Sequence, residues 1–393
     1  MADLATASRR FDASRLHWLD LLRGSAVLGI FWVNVFLFAW PETALDRPRL
    51  WLADDTVGWW SWAAMHVLAE QKFINLLALV FGMSLALSDQ RHGTAEADAR
   101  QRRRMTILAI LGLLHAWLLW WGDILFTYAC AGMLAWWLRH RPAHQLLTLG
   151  VLLYAVPALM MLVLDLAGFW HADTLPAPDP ADWAAEIALY QSSWWAQMAH
   201  RAPTALLWQT TGLITASLWH ALGLMLIGLA LVRLRLWAQL PAARHWPWSL
   251  VVAGALLMTA SAYWLRQSDD LQWRPLLLAF QAQYWGSPLM TAGYAWLLYR
   301  WSLSGSAHNL QDRLSTVGQL ALSVYLLQSV LATLLFYGHG LGLFGQLQAI
   351  ELLLVALGMT WLWLWLCPLW RRHLGTGPAE RLWRYLAHYR MKE

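Results

Sequence analysis

Residues 15–40 read RLHWLDLLRGSAVLGIFWVNVFLFAW. This run is long and apolar enough for a helix that crosses a bilayer, which takes about twenty residues. Three polar side chains interrupt it, namely Asp20, Arg23 and Asn34. A charged side chain in a membrane helix costs about 2.5–3.5 kcal/mol or more, so such charges usually face other protein or water. The run therefore predicts a membrane helix with one face turned toward the protein interior.

The three polar residues of this helix share that face. Asp20 and Arg23 are three residues apart and can form an ion pair. Arg23 and Asn34 are separated by roughly 16 Å along the axis, and at about 100° per residue they return to nearly the same side. Two interpretations remain open at this point. The stripe is either a structural ion pair that holds the helix in a bundle or the wall of a functional cavity.

The composition indicates a membrane protein. The chain has 393 residues, of which 59% are hydrophobic and 13% charged, whereas soluble domains carry about 25% charged residues. Its 31 Trp residues are typical of an aromatic belt at the membrane surface. The net charge of +5 comes from Arg residues scattered between apolar runs, so no nucleic-acid partner is predicted. Cys130 and Cys367 lie in apolar runs, which predicts neither a disulfide nor a metal site.

Apolar runs of similar length recur along the whole chain. We predict an all-α, polytopic bundle of about ten transmembrane helices that forms one domain over residues 1–393. Segments 41–71 and 169–204 are predicted to lie outside the membrane, the second with an amphipathic helix on the membrane surface. The predicted spans are 16–39, 72–89, 105–121, 124–138, 146–168, 206–232, 248–265, 283–300, 316–337 and 349–370.

Lys and Arg residues are distributed unevenly in this topology. Most of the 28 fall in segments on the same side as the two termini, including RQRRR at 100–104. The positive-inside rule therefore places both termini in the cytoplasm. The basic segment 91–104 is either a solvated anchor or a surface that attracts an anionic lipid or a phosphorylated ligand.

Two titratable residues lie close together in the third span and the turn after it. His115 is the natural acid–base group, because histidine is the side-chain type that titrates near neutral pH. Asp123 follows eight residues later, about 12 Å away along a straight helix. The two side chains can meet only if the turn at Gly122 folds Asp123 back. The alternatives are a catalytic pair, or a structural histidine beside a carboxylate that caps a helix or faces solvent.

Other polar residues lie at the edges or on the faces of spans. His66 lies in the first outer segment, and Lys72 begins the second span. Tyr325, Gln328 and Ser329 share one face of the ninth span, where polar side chains commonly hydrogen-bond between helices. The chain contains none of the P-loop, HExxH, CxxC or GxSxG motifs, which excludes the site types that these motifs mark.

Seven segments resemble the YeiB-like bacterial membrane proteins, a family labelled domain of unknown function 418. The resemblance covers nearly the whole chain, and its motifs occur in the order of the family. The segments are LDLLRGSAVLGIFWVN (19–34), KFINLLALVFGMSLAL (72–87), LLHAWLLWWGDIL (113–125), ALGLMLIGLAL (221–231), VGQLALSVYLLQS (317–329), GLGLFG (340–345) and GPAERLW (377–383).

The LD-x-x-RG start of the first span is also similar to integral-membrane acyltransferases, which pass an acyl group from a cytosolic coenzyme A thioester to a sugar across the membrane. Bacterial surface-sugar O-acetylases of this kind have a His eleven residues after the Arg. Here that position is Asn34. The lysosomal heparan-glucosaminide N-acetyltransferase is similar in having Asn there and an active His in its first luminal segment. His66 is the histidine of the matching segment.

The resemblance implies an acyltransferase of the bacterial inner membrane that moves an acyl group, acetyl in the first instance, from acyl-CoA to an envelope glycan or a lipid-linked sugar. The predicted partners are therefore the lipid bilayer and a small-molecule or glycan substrate, and no metal is predicted. Two other classes stay open: a small-molecule permease or ion-coupled exporter, and a structural membrane protein.

The predicted site has two groups of residues. For catalysis we expect His115 as general base, Asp123 to orient a histidine or the acceptor, His66 as the alternative base, and Asn34 as an oxyanion donor. We expect a second group of residues to bind the acyl donor or another substrate, or to line the path of that substrate. That group is Asp20, Arg23, Lys72, Tyr325 and Gln328.

Overall fold

A computed structural model describes residues 2–92, 95–169, 179–236, 246–267 and 273–388. All regular secondary structure in these ranges is helical, which confirms the predicted all-α class. Besides its α-helices, the described chain contains a 3₁₀ turn at Glu42–Ala44 and a π-helical stretch at Trp208–Ser217. The α-helices are α1 (Ala2–Ala39), α2 (Pro48–Leu52), α3 (Thr56–Leu68), α4 (Lys72–His92), α5 (Ala95–Leu118), α6 (Leu125–Leu138), α7 (Ala143–Leu166), α8 (Pro180–Tyr190), α9 (Trp194–Leu207), α10 (Leu218–Arg233), α11 (Trp246–Gln267), α12 (Trp273–Leu303), α13 (His308–Gln319), α14 (Ala321–Phe336), α15 (Ala349–Leu374) and α16 (Pro378–His388).

The two ends of the bundle are defined by α1. Near its start, His17 lies 4.0 Å from Asp312 of α13, and α16 packs nearby against α5 and α14. We call this the terminal end, because the start of α1 and the helix α16, the first and last helices of the described chain, both lie there. At the other end of α1, the Ala39 carbonyl accepts a 2.7 Å hydrogen bond from Gly345 N in the turn after α14. We call this the far end.

Six helical segments of the described chain are long and apolar enough to cross a membrane, or seven if the broken pair α13–α14 counts as one span. They support a membrane protein, and the exact count of about ten stays a prediction. The other predicted spans coincide with α5, α6 and α12, and α6 is apolar but only 14 residues long. The six segments are His17–Ala39, Thr56–Asp89, Ala143–Leu166, Trp194–Arg233, Trp246–Gln267 and Ala349–Leu374.

Two of these segments reach beyond the predicted spans at the far end. The helix α3 runs on into α4, and together they form a segment of 34 residues. In the same way α9 continues through the π-helical stretch into α10, giving 40 residues. The segments 41–71 and 169–204, predicted to lie outside the membrane, therefore contribute helices that continue in line with two of the spans.

The centre of the bundle is a close contact between α4 and α10. A Cβ atom at Gly82 of α4 would lie 1.9 Å from the carbonyl oxygen of Met225, and one at Gly228 of α10 would lie 2.1 Å from that of Leu79. Only glycine lets the two backbones approach this closely. The helices α7, α11 and α15 lie further out, where large apolar side chains such as Leu166 and Leu256 stay exposed, as lipid-facing side chains do.

The ninth predicted span, 316–337, is not one straight helix. It breaks at Leu320, where α13 and α14 meet at 82°. The break leaves the first backbone N–H groups of α14 without partners in their own helix. Glu380 of α16 supplies the missing partner, because its Oε1 accepts from Leu322 N at 2.8 Å and from Ser323 N at 3.0 Å. A carboxylate distant in sequence thus caps a helix that begins inside the bundle.

Candidate functional site

His115 and Asp123 meet because the chain reverses between them. The helix α5 ends at Leu118, and the turn that follows returns Asp123 to the last turn of the helix. His115 Nδ1 lies 2.9 Å from Asp123 Oδ1. Gly112 makes room for this turn, since a Cβ atom there would lie 2.8 Å from Asp123 Oδ2 and 2.3 Å from Phe126 N. The folding back that the sequence required for a direct contact is present.

Asp123 also starts the next helix. Its second oxygen, Oδ2, accepts a 2.8 Å hydrogen bond from Phe126 N in the first turn of α6. The side chain is fully buried, at 0% exposure. One carboxylate therefore holds the histidine with one oxygen and the helix start with the other, so both its oxygens have partners in the dry interior.

The other nitrogen of His115 faces a serine. Nε2 lies 2.9 Å from Ser329 Oγ on α14. With the Nδ1 proton donated to Asp123, Nε2 is an acceptor for the Ser329 hydroxyl, whose other acceptor is the Tyr325 carbonyl oxygen at 3.3 Å. This is the order of groups in a serine–histidine–aspartate triad, which is recognised by its geometry and not by sequence position. The sequence interpretation had placed Ser329 on a polar helix face but gave it no chemical role.

A cavity of about 470 Å³ opens in the terminal half of the bundle. This volume falls within the roughly 300–1,000 Å³ of typical small-molecule sites. Leu77, Phe81 and Leu108 supply part of its apolar wall, and Ser84 and Ser88 add hydroxyl groups. Four arginines from three different helices also line it. These are Arg23 of α1, Arg100 and Arg104 of α5, and Arg384 of α16.

The arginines give the cavity a positive charge. Arg23 bonds to Asp20 Oδ1 at 2.7 Å and to Ser84 Oγ at 2.9 Å, so the ion pair that the spacing predicts is present. Burial lowers the pKa of Arg104, and the charges of the other three arginines lower it further. An arginine that is crowded by other cations gains from a bound anion, which relieves this repulsion.

Tyr325 connects the cavity with the histidine. Its side chain lines the cavity, and its ring centroid lies 5.2 Å from that of His115. The Tyr325 hydroxyl oxygen accepts a 3.3 Å hydrogen bond from Ile124 N, next to Asp123. His115 itself is 3% exposed and does not line the cavity. The cavity and the triad are therefore neighbours with one tyrosine at their boundary.

The helix α16 closes the cavity at the terminal end. Trp383 and Ala387 line it, and Trp383 Nε1 donates to the carbonyl oxygen of Arg104 at 2.9 Å. The Arg104 guanidinium stacks over the Trp383 ring at 4.5 Å. Glu380 holds the helix in place through the first turn of α14 and through a short hydrogen bond from the Ser323 hydroxyl.

Replacement of Glu380 by alanine is expected to release α16 from α14. Loss of a capping carboxylate costs about 0.5–2 kcal/mol, so α16 should open roughly tenfold more often. Trypsin cleavage after Arg381 in the detergent-solubilised protein, followed over time by mass spectrometry, measures this opening. Glu380→Gln is the control, because its side-chain oxygen can still accept from the two backbone N–H groups. Equal cleavage of wild type and the alanine variant would show that Glu380 does not hold the helix.

A second buried polar network lies around His66. His66 Nδ1 lies 2.6 Å from Glu70 Oε2, and its Nε2 lies 3.1 Å from Ser261 Oγ on α11. Gln283 Nε2 donates to the other Glu70 oxygen at 2.8 Å. Lys72 is fully buried and donates to the backbone oxygen of His66 at 2.7 Å. The structure therefore groups Lys72 with His66, outside the residues that line the arginine cavity.

This network continues along α4 to other helices. Asn75 Oδ1 lies 2.6 Å from His220 Nε2 on α10, and Asn75 Nδ2 donates to Ser287 Oγ at 3.1 Å. Two residues that the sequence predicts for the site belong neither to the lining of the arginine cavity nor to the network around His66. Asn34 is half-buried on α1, and Gln328 is buried on α14, but neither belongs to the described cavity lining.

Comparison with known proteins identifies the family. Over 380 residues the chain is 31% identical to YeiB of Escherichia coli (strain K12), covering 94% of this chain and 95% of YeiB. The chain belongs to the DUF418 family. The family model, described as "Protein of unknown function (DUF418)", matches residues 231–390. YxaH of Bacillus subtilis (strain 168) is 26% identical over 391 residues, covering 94% of this chain and 93% of YxaH. No solved structure matches.

Sequence reasoning for this DUF418 protein missed most of the cavity lining. The sequence of segment 91–104 predicts a basic anchor or a surface for an anionic lipid or phosphorylated ligand, and the structure places Arg100 and Arg104 in the cavity wall. A signal was present: Arg100, Arg104 and Leu108 recur at intervals of four and share one helix face. Arg384 gave no comparable signal, because only the tertiary fold brings α16 to α5.

Proposed function

We propose that the protein is a membrane acyltransferase that passes an acyl group, preferably acetyl, from cytosolic acyl-CoA to an envelope glycan or a lipid-linked sugar. The observation that carries the proposal is the arginine-lined cavity whose inner wall, Tyr325, contacts the ring of the hydrogen-bonded His115. An anion site and an activated base are thus adjacent, as a charged acyl donor requires.

The cavity has the chemistry to bind a coenzyme A thioester. The nucleotide end of this molecule carries phosphates, which suit the guanidinium groups of Arg23, Arg100 and Arg104. Its pantetheine arm is uncharged and suits the apolar wall formed by residues such as Leu77 and Phe81. In this orientation the thioester points toward Tyr325.

The triad then supplies the transfer chemistry. The Ser329 oxygen attacks the thioester carbonyl while His115 Nε2 takes the hydroxyl proton, and Asp123 stabilises the protonated ring. The thiolate leaves and receives that proton, which gives the free thiol and an acyl ester on Ser329. An acceptor hydroxyl next gives its proton to His115 and attacks the ester, and Ser329 regains a proton. A movement of Tyr325 has to open the path, since its side chain stands at the inner wall of the cavity.

The proposed topology agrees with this orientation. Ten spans with both termini in the cytoplasm of a bacterial inner membrane would turn the terminal end, and with it the cavity, toward cytosolic donors. The excess of Lys and Arg in segments on that side supports this placement.

The test uses purified full-length protein with radiolabelled acetyl-CoA and an envelope fraction as acceptor. Wild type is expected to bind the donor and transfer label, whereas His115→Ala and Ser329→Ala bind it but yield no labelled product. His66→Ala is expected to keep transfer. If wild type neither binds acetyl-CoA nor transfers label, the proposal is wrong. If His66→Ala alone loses transfer, the base belongs to the other network.

Donor binding has its own matched variants. Arg104→Gln removes one charge from the cavity wall and is expected to weaken acetyl-CoA binding about tenfold, since a hydrogen bond to a charged group contributes about 1.5–3 kcal/mol. Arg102→Gln removes the same charge from an exposed position of α5 outside the cavity lining. Equal effects of the two changes in a binding titration would mean that the cavity does not hold the donor.

The second network favours a different class, a proton-coupled permease. Buried titratable groups inside a membrane protein commonly mark ion or proton paths. His66, Glu70, Lys72 and His220 form such a series across α3, α4 and α10. Proton uptake into proteoliposomes on addition of a solute, lost in Glu70→Gln and kept in Ser329→Ala, would favour this class over the transferase.

A further inference from the structure

A cluster of buried polar side chains lies at the far end, away from the arginine cavity. It is formed by Tyr190 at the end of α8, by Gln197 and Arg201 of α9, and by Tyr337 in the turn after α14. All four are at most 1% exposed. Hydrogen bonds to one backbone oxygen join these elements. The Tyr190 carbonyl oxygen accepts from Gly338 N at 2.8 Å and from Gln197 Nε2 at 2.9 Å.

Arg201 is a buried cation with an incomplete set of partners. Its Nη1 donates to the carbonyl oxygen of Leu119 at 2.9 Å, and Nη2 contacts the sulfur of Met198 at 3.1 Å. The guanidinium also lies over the Trp194 ring, 5.1 Å from its centroid. Its Nε has no hydrogen-bond partner, and within the described ranges no carboxylate forms an ion pair with it. Burial of an unpaired charge is costly, so a guanidinium in this state is expected to have a counter-ion.

The neighbouring side chains are short of partners as well. In the described part of the chain fourteen buried side-chain atoms have no hydrogen-bond partner, and five of them fall here. A native structure holds only a few such atoms per hundred residues, and they are not expected to gather in one place without a reason. The five are Tyr190 Oη, Gln197 Oε1, His200 Nε2, Arg201 Nε and Tyr337 Oη.

The donors of this cluster lie on elements that contact one another. The Tyr190 and Tyr337 rings lie 4.8 Å apart, centroid to centroid. Arg201 follows by one helical turn Gln197, whose Nε2 donates to the Tyr190 carbonyl oxygen. Two phenol hydroxyls and one guanidinium N–H are three donors without acceptors. Together with the net positive charge of Arg201, they match the acceptor oxygens of a carboxylate or phosphate group.

We propose that this cluster is a binding site for an oxyanion, in which Arg201, Tyr190 and Tyr337 hydrogen-bond a carboxylate or phosphate group. A water molecule would satisfy the hydroxyls but would leave the arginine charge uncompensated. The site is separate from the arginine cavity, and its occupation is tested by binding alone, so it stands whether or not the protein transfers acyl groups.

Two carboxylates flank the cluster and have partners of their own. Glu186 Oε1 accepts from Glu42 N at 3.2 Å and lies 3.7 Å from His200 Nε2. Glu42 Oε1 accepts from Trp208 Nε1 at 3.0 Å. Burial raises the pKa of Glu186 to about 7, and the Glu42 charge adds to this shift. Near neutral pH Glu186 is therefore partly protonated and opposes an anion only in part.

His339 lies beside the cluster and serves as a reporter for the site. It is exposed, and its ring lies 5.9 Å from that of Tyr337. Burial lowers the pKa of His339, and the Arg201 charge lowers it further. An anion bound to Arg201 cancels part of that charge, so binding raises the pKa of His339. A purely structural arginine would leave this pKa independent of added anions.

The experiment measures thermal unfolding of the full-length protein in detergent with inorganic phosphate or glucuronate, with glucose as neutral control and sodium chloride at equal ionic strength. Wild type is expected to gain about 3 °C or more in Tm with at least one oxyanion and nothing with glucose. Phosphate and glucuronate are tested separately, so the result shows whether a phosphate or a carboxylate group binds. Absence of any shift beyond that of sodium chloride overturns the proposal.

The variants Tyr190→Phe and Tyr337→Phe separate binding from folding. Each removes a hydroxyl that has no partner in the protein, so neither is expected to lower Tm without anion. Each should weaken anion binding about tenfold, and Arg201→Gln should abolish it. Tyr263→Phe, an exposed tyrosine of α11, is the matched control. If the double phenylalanine variant keeps the wild-type anion shift and the His339 response, the site is not here.

Discussion

The variant Asp123→Ala is expected to lose about 3–5 kcal/mol of the free energy of unfolding. This is the usual loss when one partner of a fully buried polar pair is removed. Two donors lose their acceptor at once, since Asp123 accepts both from His115 Nδ1 and from Phe126 N. The His115 donor cannot turn to water, because its side chain is 1% exposed.

Equilibrium unfolding in detergent with increasing denaturant measures this loss, with Asp98→Ala as the matched control. Asp98 of α5 likewise accepts from two donors, because Arg139 Nη2 lies 2.6 Å and Trp136 Nε1 lies 3.1 Å from its Oδ1. Its side chain is 36% exposed, and Arg139 keeps a second carboxylate, Asp89. The control should therefore lose at most about 1 kcal/mol. Similar losses in the two variants would contradict the structural role of Asp123.

Replacement of Gly318 by alanine is expected to lower the free energy of unfolding by about 3 kcal/mol and to disturb the cavity. Gly318 of α13 faces α1, where an added Cβ atom would lie 1.8 Å from the carbonyl oxygen of Asp20. The opposing Gly24 makes the reciprocal contact, 2.0 Å from the Leu314 oxygen. Backbone atoms cannot swing away as a side chain can, so α1 and α13 must move apart, and forced overpacking of this kind is destabilising.

Gly358→Ala is the control for a glycine in a helix. Nothing lies within 4 Å of a Cβ atom at Gly358 of α15. Alanine there should stabilise the protein by about 0.5–1 kcal/mol, because glycine is the poorer helix former. Thermal unfolding measures the stability of both variants. Ligand binding to the cavity is measured as well for Gly318→Ala. A stable Gly318→Ala variant would mean that α1 and α13 are not in close contact.

The sequence predicts the helical class and the local contacts within single helices. Apolar runs of membrane length are enough for α1, α7, α11 and α15, since only a helix satisfies its own backbone in lipid. The Asp20–Arg23 pair follows from a spacing of three residues. Such features depend on neighbours along the chain, which the sequence shows directly.

The sequence does not show which distant segments contact one another in the fold. The spacing of His115 and Asp123 permitted a contact only through a turn, and nothing local requires that turn to close. Ser329 and Arg384 reach their places through the packing of α14 and α16. Lys72 was grouped with the donor residues, but the structure ties it to His66, because α3 and α4 form one nearly continuous segment.

The start of α14 has a consequence for synthesis of the protein. Its first turn is capped by Glu380, which is synthesised 58 residues after Leu322. Until α16 has been made, the broken helix has exposed N–H groups in its middle, and the arginine cavity lacks one wall. A helix that follows α15 in synthesis thus completes the earlier span. A chain stalled between α15 and α16 would carry the apolar helices up to α15 and still present an open, unfinished cavity, which quality-control proteases could distinguish from the mature protein.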